Sequence, residues 1–432
     1  MDNEADVTGA APAFALIGRK LAHSWSPQIH GSLGSVPYRL VELEPDEVED
    51  FICGNDEWRG LNVTIPYKAE AYRLADARSP RADVLGVANT LVRRPDGSVF
   101  ADNTDVLGFE WMLEEFCRKT FGSCAAHAIA GREVLVLGSG GASKSVRSVL
   151  ERSSGHVSVI SRSGPDNYDR LLENHPNAAF LVNTTPVGMF PNCPDSPLTF
   201  ETMRALSELG GVLDVVYNPE RTGICLFAER LGIPWQSGLG MLVAQAFYSS
   251  QLFQGKRLNE SLIHEIMDDI QSRSRNIVLI GMPGAGKTTC GRQLARILNR
   301  PFVDLDDAFS IEFSMTPSDY IERHGEDAFR ELESRVCASY CARSGLVISC
   351  GGGIVTRQNN YALLHQNSTI VFLDRPIGEL SSHGRPLSRE RGVDVLARER
   401  MELYQAWADH RVACTGSAAG DAEKIAGLLF SA

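Results

Sequence analysis

A glycine-rich stretch at residues 276–295 contains the residues whose types and spacing most clearly indicate a chemistry, and it reads NIVLIGMPGAGKTTCGRQLA. The apolar run at residues 277–280 predicts a strand, and apolar residues at helical spacing after Thr288 predict a helix. Between these elements, backbone N–H groups and the positive end of the helix attract an anion, and Lys287 adds a full positive charge. The stretch therefore predicts a nucleoside triphosphate site.

A glycine-rich turn that only happens to precede a helix is the alternative interpretation, but it does not account for a lysine at the last loop position. The hydroxyl of Thr288 remains free to hold Mg²⁺. The residues expected to contact the nucleotide are Gly281, Gly284, Ala285, Gly286, Lys287, Thr288 and Thr289.

Two acidic residues follow this loop in the segment PFVDLDD. Asp304 and Asp306 occupy alternate positions of a predicted strand, so both side chains are expected to point the same way. One of them can help to hold Mg²⁺, and the other can meet the acceptor of a phosphoryl group.

Three arginines in the last third of the chain are candidate contacts for an anion. Arg330 lies three residues before Glu333 on a predicted helix, and Arg400 lies on a later helix. Arg385 lies in the polar segment SSHGRPLSRERG, which is typical of a mobile lid over a transferring phosphoryl group. The glycine run at residues 351–353 predicts a close approach of backbone to a ligand. A solvated helix pair and a plain surface loop remain the alternatives for Arg330 and for Arg385.

In the first part of the chain, Lys68 and Asp105 lie in the segments NVTIPYK and ADNTD. Lys68 lies just inside a predicted helix, which is an unfavourable place for a cation because the amino end of a helix is already positive. Asp105 lies where a helix begins. It is therefore open whether these residues have a functional role or whether Asp105 or Thr104 only caps the helix. Ser24 and Ser26 flank a turn, and by themselves they indicate only a helix start.

A second glycine-rich turn, GSGGAS, follows a predicted strand at residues 133–137. It resembles a dinucleotide-binding turn, although Ser143 replaces the third glycine of the usual pattern. An enzyme that prefers NAD has an acid after the next strand, whereas this chain has Arg162 between two serines, which suits the 2′-phosphate of NADP. The candidate cofactor-binding residues are Gly138, Gly140, Gly141, Ala142, Ser143, Ser161, Arg162, Ser163 and Gly238.

The elements that must position these residues alternate between short apolar strands and helices, which predicts an α/β fold with a largely parallel sheet in the first part. The chain has 432 residues, more than one hydrophobic core usually serves. Its net charge of −12, without a run of lysine or arginine, argues against a nucleic-acid surface.

Compartment is indicated by three features of the sequence. The acidic first twelve residues differ from a secretory signal, and no apolar run approaches the roughly 20 residues that cross a bilayer. Ten cysteines without a CxxC pair predict buried thiols rather than zinc ligands or disulfides. We therefore expect a cytoplasmic protein with no membrane or nucleic-acid partner.

Motifs over residues 13–270 occur in the order SWSP, NVTIPYK, VANT, DNTD, GSGGAS, NTTPVGM, DxxYNPxxT and GLGMLVAQA, and in combination they resemble shikimate dehydrogenase. The resemblance implies NADPH-dependent reduction of 3-dehydroshikimate, with Lys68 and Asp105 as the catalytic pair. Which of the two is the formal proton donor stays open, because a close pair titrates as a unit. The resemblance also implies that the substrate is bound by Ser24, Ser26, Thr64, Asn89, Tyr217 and Gln245.

A second set of motifs, GMPGAGKTT, FVDLD, GEDAFR, GGG, GRPL and RMELY, resembles shikimate kinase over residues 274–432. This resemblance implies that Lys287, Thr288, Asp304 and Arg385 serve ATP and Mg²⁺, and that Lys287, Asp306 and Arg385 are catalytic. The residues implied to bind shikimate are Asp306, Arg330, Gly352 and Arg400.

Both resemblances together imply a bifunctional enzyme with small-molecule substrates, while the oligomeric state stays open. Two alternatives remain for the first part: a non-catalytic ligand-sensing module, against which Lys68 and Asp105 speak, and a quinate dehydrogenase, against which Arg162 speaks. The expected domains are a substrate subdomain (1–105), a Rossmann-like NADP subdomain (106–237), helices that return to the substrate subdomain and end in a linker (238–273), and a P-loop kinase domain (274–432).

Overall fold

The computed structural model describes residues 13–21, 24–380 and 392–430. The chain forms two compact units. The first comprises Met1–Pro186, Pro197–Tyr217 and Phe227–Asp269, and the second comprises Val187–Ser196, Asn218–Leu226 and Ile270–Ala432. Two short segments from the middle of the sequence therefore belong to the same compact unit as the phosphate loop.

The first sheet of the first unit has the strand order β2-β1-β3-β5-β6-β4 in the described residues. Its strands are β1 (Phe14–Gly18), β2 (Tyr38–Glu42), β3 (Gly60–Val63), β4 (Ala77–Arg78), β5 (Thr90–Arg93) and β6 (Val99–Asp102). Strand β1 is parallel to β2 and β3, and β4 is parallel to β6. Strand β5 is antiparallel to both β3 and β6, so the sheet is mixed.

Two of the four helices of this part have proline in their first turn. The four are α1 (Ser26–Ser32), α2 (Val48–Cys53), α3 (Lys68–Leu74) and α4 (Pro80–Leu85). Pro27 and Pro80 lie in the first turns of α1 and α4, where the missing N–H costs nothing. The core between these helices and the sheet is apolar and includes Ile17, Trp58 and Leu61, each with no exposed area.

The second sheet of the first unit is parallel throughout, with the order β11-β10-β9-β7-β8. Its strands are β7 (Glu133–Leu137), β8 (His156–Ile160), β9 (Phe180–Asn183), β10 (Gly211–Asp214) and β11 (Trp235–Gln236). The accompanying helices are α5 (Thr104–Phe121), α6 (Ala125–Ala128), α7 (Gly141–Arg152), α8 (Leu171–Asn174), α9 (Phe200–Ala205), α10 (Gly223–Arg230), α11 (Leu239–Gln254) and α12 (Ser261–Ser274).

Helices α5 and α11 pack closely because α5 has glycine at the contact. A Cβ on Gly108 would lie 2.6 Å from the carbonyl oxygen of Met241, closer than real Cβ contacts allow. This packing places the first turn of α5 beside the middle of α11, from which Gln245 projects.

The sheet of the second unit is also parallel, with the order β13-β14-β12-β15-β16. Its strands are β12 (Asn276–Ile280), β13 (Phe302–Asp304), β14 (Val347–Ser349), β15 (Ser368–Asp374) and β16 (His410–Ala413). Its helices are α13 (Lys287–Leu298), α14 (Leu305–Phe313), α15 (Pro317–His324), α16 (Glu326–Cys341), α17 (Asn359–His365), α18 (Val393–Trp407) and α19 (Ala418–Phe430). The expected α/β class is confirmed.

Most of residues 271–275, expected to form a polar linker, are helical. Helix α12 continues to Ser274, and β12 begins at Asn276. Arg275, between them, is held by a charge-assisted hydrogen bond of 2.8 Å from its Nε to Glu220. The polar composition therefore marks the exposed end of α12, and Arg275, directly after this helix, has a specific partner.

Each described helix is too short or too polar to span a lipid bilayer.

Candidate active sites

The first candidate site is centred on an ion pair between Lys68 and Asp105, whose Nζ and Oδ2 lie 2.5 Å apart. Lys68 is the first residue of α3, and Asp105 lies in the first turn of α5. An acid is favourable at a helix start and a lysine is not, so the position of Lys68 is supported by this partner. Their side chains are 22% and 13% exposed, which leaves the pair within reach of a ligand.

Asn89 connects this pair to the helix opposite. Its Nδ2 donates to Asp105 Oδ1 at 2.8 Å and to Gln245 Oε1 at 3.3 Å, and its Oδ1 accepts from the backbone N–H of Thr104 at 2.7 Å. The N-cap of α5 is Asn103, which makes no side-chain cap hydrogen bond. Asp105 and Thr104 therefore do not act as the capping residue, and the alternative left open by the sequence is wrong.

The remaining residues predicted for the first substrate lie in the same unit. Ser24 Oγ donates to Ser26 Oγ at 3.1 Å, next to the start of α1. Tyr217 packs against Trp25, with ring centroids 5.3 Å apart. Thr64 follows β3, and its N–H donates to the carbonyl of Ile17. Their roles in binding stay predictions.

Two polar residues that the sequence analysis did not single out, Tyr38 and Asn62, belong to the same network. Tyr38 Oη donates to Asn62 Oδ1 at 2.8 Å, and the ring of His30 stacks on Tyr38 with centroids 4.1 Å apart. Burial lowers the pKa of His30 to about 3, so this imidazole is neutral at physiological pH. The one sequence signal is a polar asparagine inside an otherwise apolar strand, β3.

The glycine-rich turn after β7 has room for a ligand backbone or phosphate. Gly138 has φ +102°, a conformation that favours glycine, and its Cβ position is 2.9 Å from Thr185. Around the Cβ positions of Gly140 and Gly141 nothing lies within 4 Å. Helix α7 starts there without an acid in its first turn, so its positive end stays available to a dinucleotide phosphate.

The residues expected to select NADP lie at the end of β8. Ser161 is buried and its N–H donates to the carbonyl of Asp166, while Arg162 and Ser163 are exposed. Burial raises the pKa of the Tyr168 hydroxyl, and the charge of nearby Arg162 opposes this. Ala142 and Ser143 follow in the first turn of α7, whereas Gly238 is the N-cap of α11 and its Cβ would lie 2.1 Å from the carbonyl oxygen of Val215. Gly238 is therefore required for backbone packing, whatever it contacts in a ligand.

The second candidate site is a cavity of about 320 Å³ beside the phosphate loop. Lys287 Nζ donates to the carbonyls of Gly281 at 2.8 Å and Met282 at 3.0 Å. Thr288 Oγ1 donates to Asp304 Oδ2 at 2.7 Å. The loop residues of the cavity wall are Pro283, Gly284, Gly286, Lys287, Thr288 and Thr289. Gly281 and Ala285 complete the loop behind them.

The expectation that Asp304 and Asp306 lie on one strand is wrong. Strand β13 ends at Asp304, which caps α14 by accepting from the N–H of Asp306 at 3.0 Å, and Asp306 lies in the first helical turn. Both still line the cavity, because one helical turn brings them to the same side. Burial, with the nearby Asp304 and Glu333, raises the pKa of Asp306 to about 6.

Arg330 lies in the same cavity and is 6% exposed at its side chain. Its Nη1 donates to Glu333 Oε2 at 2.6 Å, and its Nη2 donates to Glu326 Oε1 at 3.0 Å. Glu333 is 3% exposed, so the alternative of a solvated helix pair is wrong. Burial raises the pKa of Glu333, and Arg330 opposes this.

Glycine is required at Gly351 and Gly353 because charged side chains occupy the space of a Cβ, and at Gly352 because Pro283 occupies it. A Cβ on Gly353 would lie 2.0 Å from Arg330 Nη2, and one on Gly351 would lie 2.7 Å from Glu333 Oε1. The carbonyl of Gly352 accepts from Arg400 Nη1 at 3.2 Å and also from the hydroxyl of Tyr404.

Arg400 is 2% exposed, and its Nε has no hydrogen-bond partner in the described part of the chain. A buried guanidinium with a spare donor, next to Arg330, is suited to an anionic ligand such as a carboxylate. Arg385 lies outside the described residues, and so does the segment expected to form a lid.

The donors at the phosphate loop fit Mg²⁺ bound with a nucleotide. The described residues contain no group of three or more histidine, cysteine, aspartate or glutamate side chains placed to hold a metal. Mg²⁺ does not need such a group, because it is usually held by one or two carboxylates, waters and the phosphates of the substrate. The hydroxyl of Thr288 and the carboxylate of Asp304 fit such a partial set of ligands.

Comparison with known proteins distinguishes the two parts of the chain. The family model described as the shikimate dehydrogenase substrate binding domain matches residues 16–91, and the shikimate kinase model matches residues 283–429. A shikimate dehydrogenase (NADP(+)) of Methylobacterium radiotolerans is 34% identical over 271 residues, which are 57% of this chain and 93% of that protein.

Two solved structures resemble the amino-terminal part. A chorismate mutase/shikimate 5-dehydrogenase fusion protein from Clostridium acetobutylicum is 30% identical with a TM-score of 0.54, covering 60% of this chain and 96% of that one. Shikimate 5-dehydrogenase from Thermus thermophilus, solved with NADP(H) and shikimate, is 29% identical with a TM-score of 0.50, covering 59% and 98%. The chain belongs to the shikimate dehydrogenase family over its amino-terminal part and carries a shikimate kinase domain at residues 283–429.

Proposed function

We infer that the chain is a bifunctional enzyme of the shikimate pathway. Its amino-terminal part reduces 3-dehydroshikimate to shikimate with NADPH, and its carboxy-terminal part phosphorylates the 3-hydroxyl of shikimate with ATP. The hydroxyl formed in the first reaction is the nucleophile of the second. The observation that carries this inference is the pair of buried arginines, Arg330 and Arg400, in one cavity with a phosphate loop.

In the reduction, NADPH bound at the turn after β7 supplies a hydride to the ketone carbon. The Lys68 and Asp105 pair supplies the proton that the ketone oxygen must gain, over a hydrogen bond that is already formed. Asn89, which also donates to Gln245, fixes the carboxylate of Asp105 through the oxygen that Lys68 does not contact.

In the phosphorylation, ATP supplies the phosphoryl group, and catalysis requires positioning and charge stabilisation more than covalent chemistry. Arg330 and Arg400 hold the carboxylate of shikimate. Asp306 accepts a hydrogen bond from the acceptor hydroxyl and takes its proton late. Lys287 exchanges its two loop carbonyls for phosphate oxygens, and Arg385 is proposed to reach the same phosphates.

Mg²⁺ is proposed as the second cofactor of this site, held by Thr288 and Asp304 with the phosphates of ATP. The Oγ1 to Oδ2 hydrogen bond of 2.7 Å supports the assignment, because it brings a hydroxyl and a carboxylate oxygen to one point of the loop.

A cytoplasmic location is proposed from the state of the cysteines. All ten are free thiols, and even Cys337 and Cys341, whose sulfurs lie 3.7 Å apart, are not bridged. Unbridged neighbouring thiols are typical of a reducing compartment.

The function is tested by following NADPH oxidation and ADP formation from 3-dehydroshikimate with the full chain. Lys68→Ala should lower the turnover number for NADPH oxidation by about 10²–10⁴-fold while ADP formation from added shikimate continues. Asp306→Asn should give the reverse pattern and still bind ATP. A wild-type chain that phosphorylates shikimate but never oxidises NADPH would instead support the non-catalytic sensor, and faster oxidation of quinate with NAD would support a quinate dehydrogenase.

A further inference from the structure

Arg375 lies directly after β15, on the opposite side of the phosphate loop from the arginines that face shikimate. Its Nη2 is 3.8 Å from the position that a Cβ would occupy on Gly286, the N-cap of α13. The side chain is 19% exposed, and its Nε is buried without a hydrogen-bond partner among the described residues. The proposed mechanism gives this cation no role.

A buried carboxylate holds Arg375 in this place. Asp421 Oδ2 lies 3.7 Å from Arg375 Nη2 and is 2% exposed. The other oxygen of Asp421 accepts from the hydroxyl of Thr415 at 2.8 Å and from its backbone N–H. Asp421 thus links the end of β15 to the loop after β16, while most of the five donors of the guanidinium remain available.

The order of the strands shows which part of ATP would meet Arg375. Ligands of a parallel α/β sheet bind outside the carboxyl ends of the strands. Asp304 and residues 351–353, which face the acceptor, lie after β13 and β14, on one side of β12. The terminal phosphate must point to that side, so the rest of the nucleotide extends toward β15 and β16, where Arg375 lies.

We propose that Arg375 is a nucleotide-binding residue that contacts the nucleoside monophosphate part of ATP and ADP, and that Asp421 is its positioning residue. The proposal rests on the kinase function proposed above. A guanidinium at this point serves the α-phosphate by charge-assisted hydrogen bonds. It therefore adds to the affinity for the nucleotide without taking part in the transfer of the terminal phosphate.

The test compares binding of ADP and of inorganic pyrophosphate, both with Mg²⁺, to the full chain by calorimetry. Arg375→Ala should weaken ADP binding by about tenfold or more, the value of one hydrogen bond to a charged group. Pyrophosphate supplies two phosphates for the loop but has no nucleoside monophosphate part, so its affinity should change less than about twofold. Arg375→Lys, which keeps the charge but not the fork of donors, should give an intermediate ADP affinity and serves if the alanine variant does not fold.

Arg411→Ala is the matched control. Arg411 pairs with Asp374, the residue before Arg375, but its side chain is 62% exposed, and its removal should leave both affinities unchanged. Unchanged ADP affinity in Arg375→Ala, or equal losses for ADP and pyrophosphate, would overturn the proposal. A wild-type chain that bound no ADP would overturn the kinase function and this proposal with it.

Discussion

Three carboxylates crowd the acceptor side of the kinase cavity and set the proton affinity of Asp306. Burial contributes most, and Asp304 and Glu333 add repulsion, which together raise the pKa of Asp306 from 3.8 to about 6. Lys287 and Arg330 oppose the shift but do not cancel it. Asp306 is therefore ionised at neutral pH and begins to be protonated in the mildly acidic range.

As the pH falls, phosphorylation of shikimate should therefore begin to slow at a higher pH than it would if Asp306 had the ordinary pKa of an aspartate. Because Asp306 must be ionised to orient the hydroxyl, kcat/KM should fall about tenfold for each pH unit below pH 6. The measurement is a pH profile from 4.5 to 8, with ADP binding over the same range as the control. A profile that stays flat down to pH 5 would contradict the assignment. Stability has the opposite dependence, since a raised acid pKa contributes stability at low pH that is lost as the pH rises through about 6.

We expect cofactor choice in the dehydrogenase to depend on the exposed Arg162. Arg162→Ala should raise the KM for NADP by at least about tenfold, because a hydrogen-bonded charge pair with the 2′-phosphate is lost. The KM for NAD, which has no such phosphate, should change little. Steady-state kinetics with both cofactors decide this, and equal losses would show that Arg162 only supports the loop structure.

The sequence was informative about residues that carry charge at helix starts. Lys68 and Asp105 were singled out because each stands at an unusual or ambiguous helix position, and the structure brings them together. Tyr38 and Asn62 were not found, because their role depends on strands β2 and β3 lying on either side of β1. Such pairing between distant residues has no local signal in a single sequence.

The glycine run after β14 shows how an element makes room for charge. Gly353→Ala should push the guanidinium of Arg330 out of place, since a Cβ there would lie 2.0 Å from Nη2. We expect the KM for shikimate to rise at least about tenfold, as one charge-assisted contact is lost, while ADP affinity stays unchanged. Gly378→Ala is the control, because no atom of the described residues lies within 4 Å of its Cβ position. A shikimate KM unaltered by Gly353→Ala would show that Arg330 can move without cost.

The predicted helices and strands are correct where the spacing of apolar residues and the turn-forming residues indicate the same element. Strand β7 was predicted with the bounds that it has, while β6 was not predicted at all. The residues Pro95, Asp96 and Gly97 between β5 and β6 are a hairpin signal, and Gly97 adopts φ +85° there. The alternate positions of Asp304 and Asp306 predict a strand that includes Asp306, because two alternating acids cannot distinguish a strand end from the first turn of a helix.

The compact units of the whole molecule do not follow the chain order, since Asn218–Leu226 belongs to the second unit. Within that unit, Glu220 pairs with Arg275. The N–H of Arg221 donates to the carbonyl of Gln366 at 2.8 Å, and its Nη1 donates to that of His365 at 3.1 Å. These contacts hold Glu220 and Arg221 against other residues of the same unit.

Cutting the chain between residues 273 and 274 should therefore leave two active fragments of unequal stability. Fragment 274–432 keeps the described residues of the kinase cavity, so its turnover number should stay within about tenfold of the full chain. It loses the partners of Arg275, His365 and Gln366. If the free energy of unfolding falls by about 1–2 kcal/mol, the melting temperature of a domain of this size falls by roughly 2–10 °C. Calorimetry of the fragment with bound ADP, against the full chain under the same conditions, measures this difference.

The full-length variant Glu220→Gln is the control for the cut, because it removes one charge of the pair with Arg275 and keeps the chain continuous. It should lower the melting temperature by less than the cut does, since the contacts of Arg221 remain. Fragment 1–273 should oxidise NADPH with 3-dehydroshikimate on its own, because Lys68, Asp105 and the turn after β7 all lie within it. If either fragment is inactive alone and recovers when the two are mixed, the halves depend on each other for folding. If fragment 274–432 melts at the temperature of the full chain, Asn218–Leu226 adds nothing to the stability of the kinase.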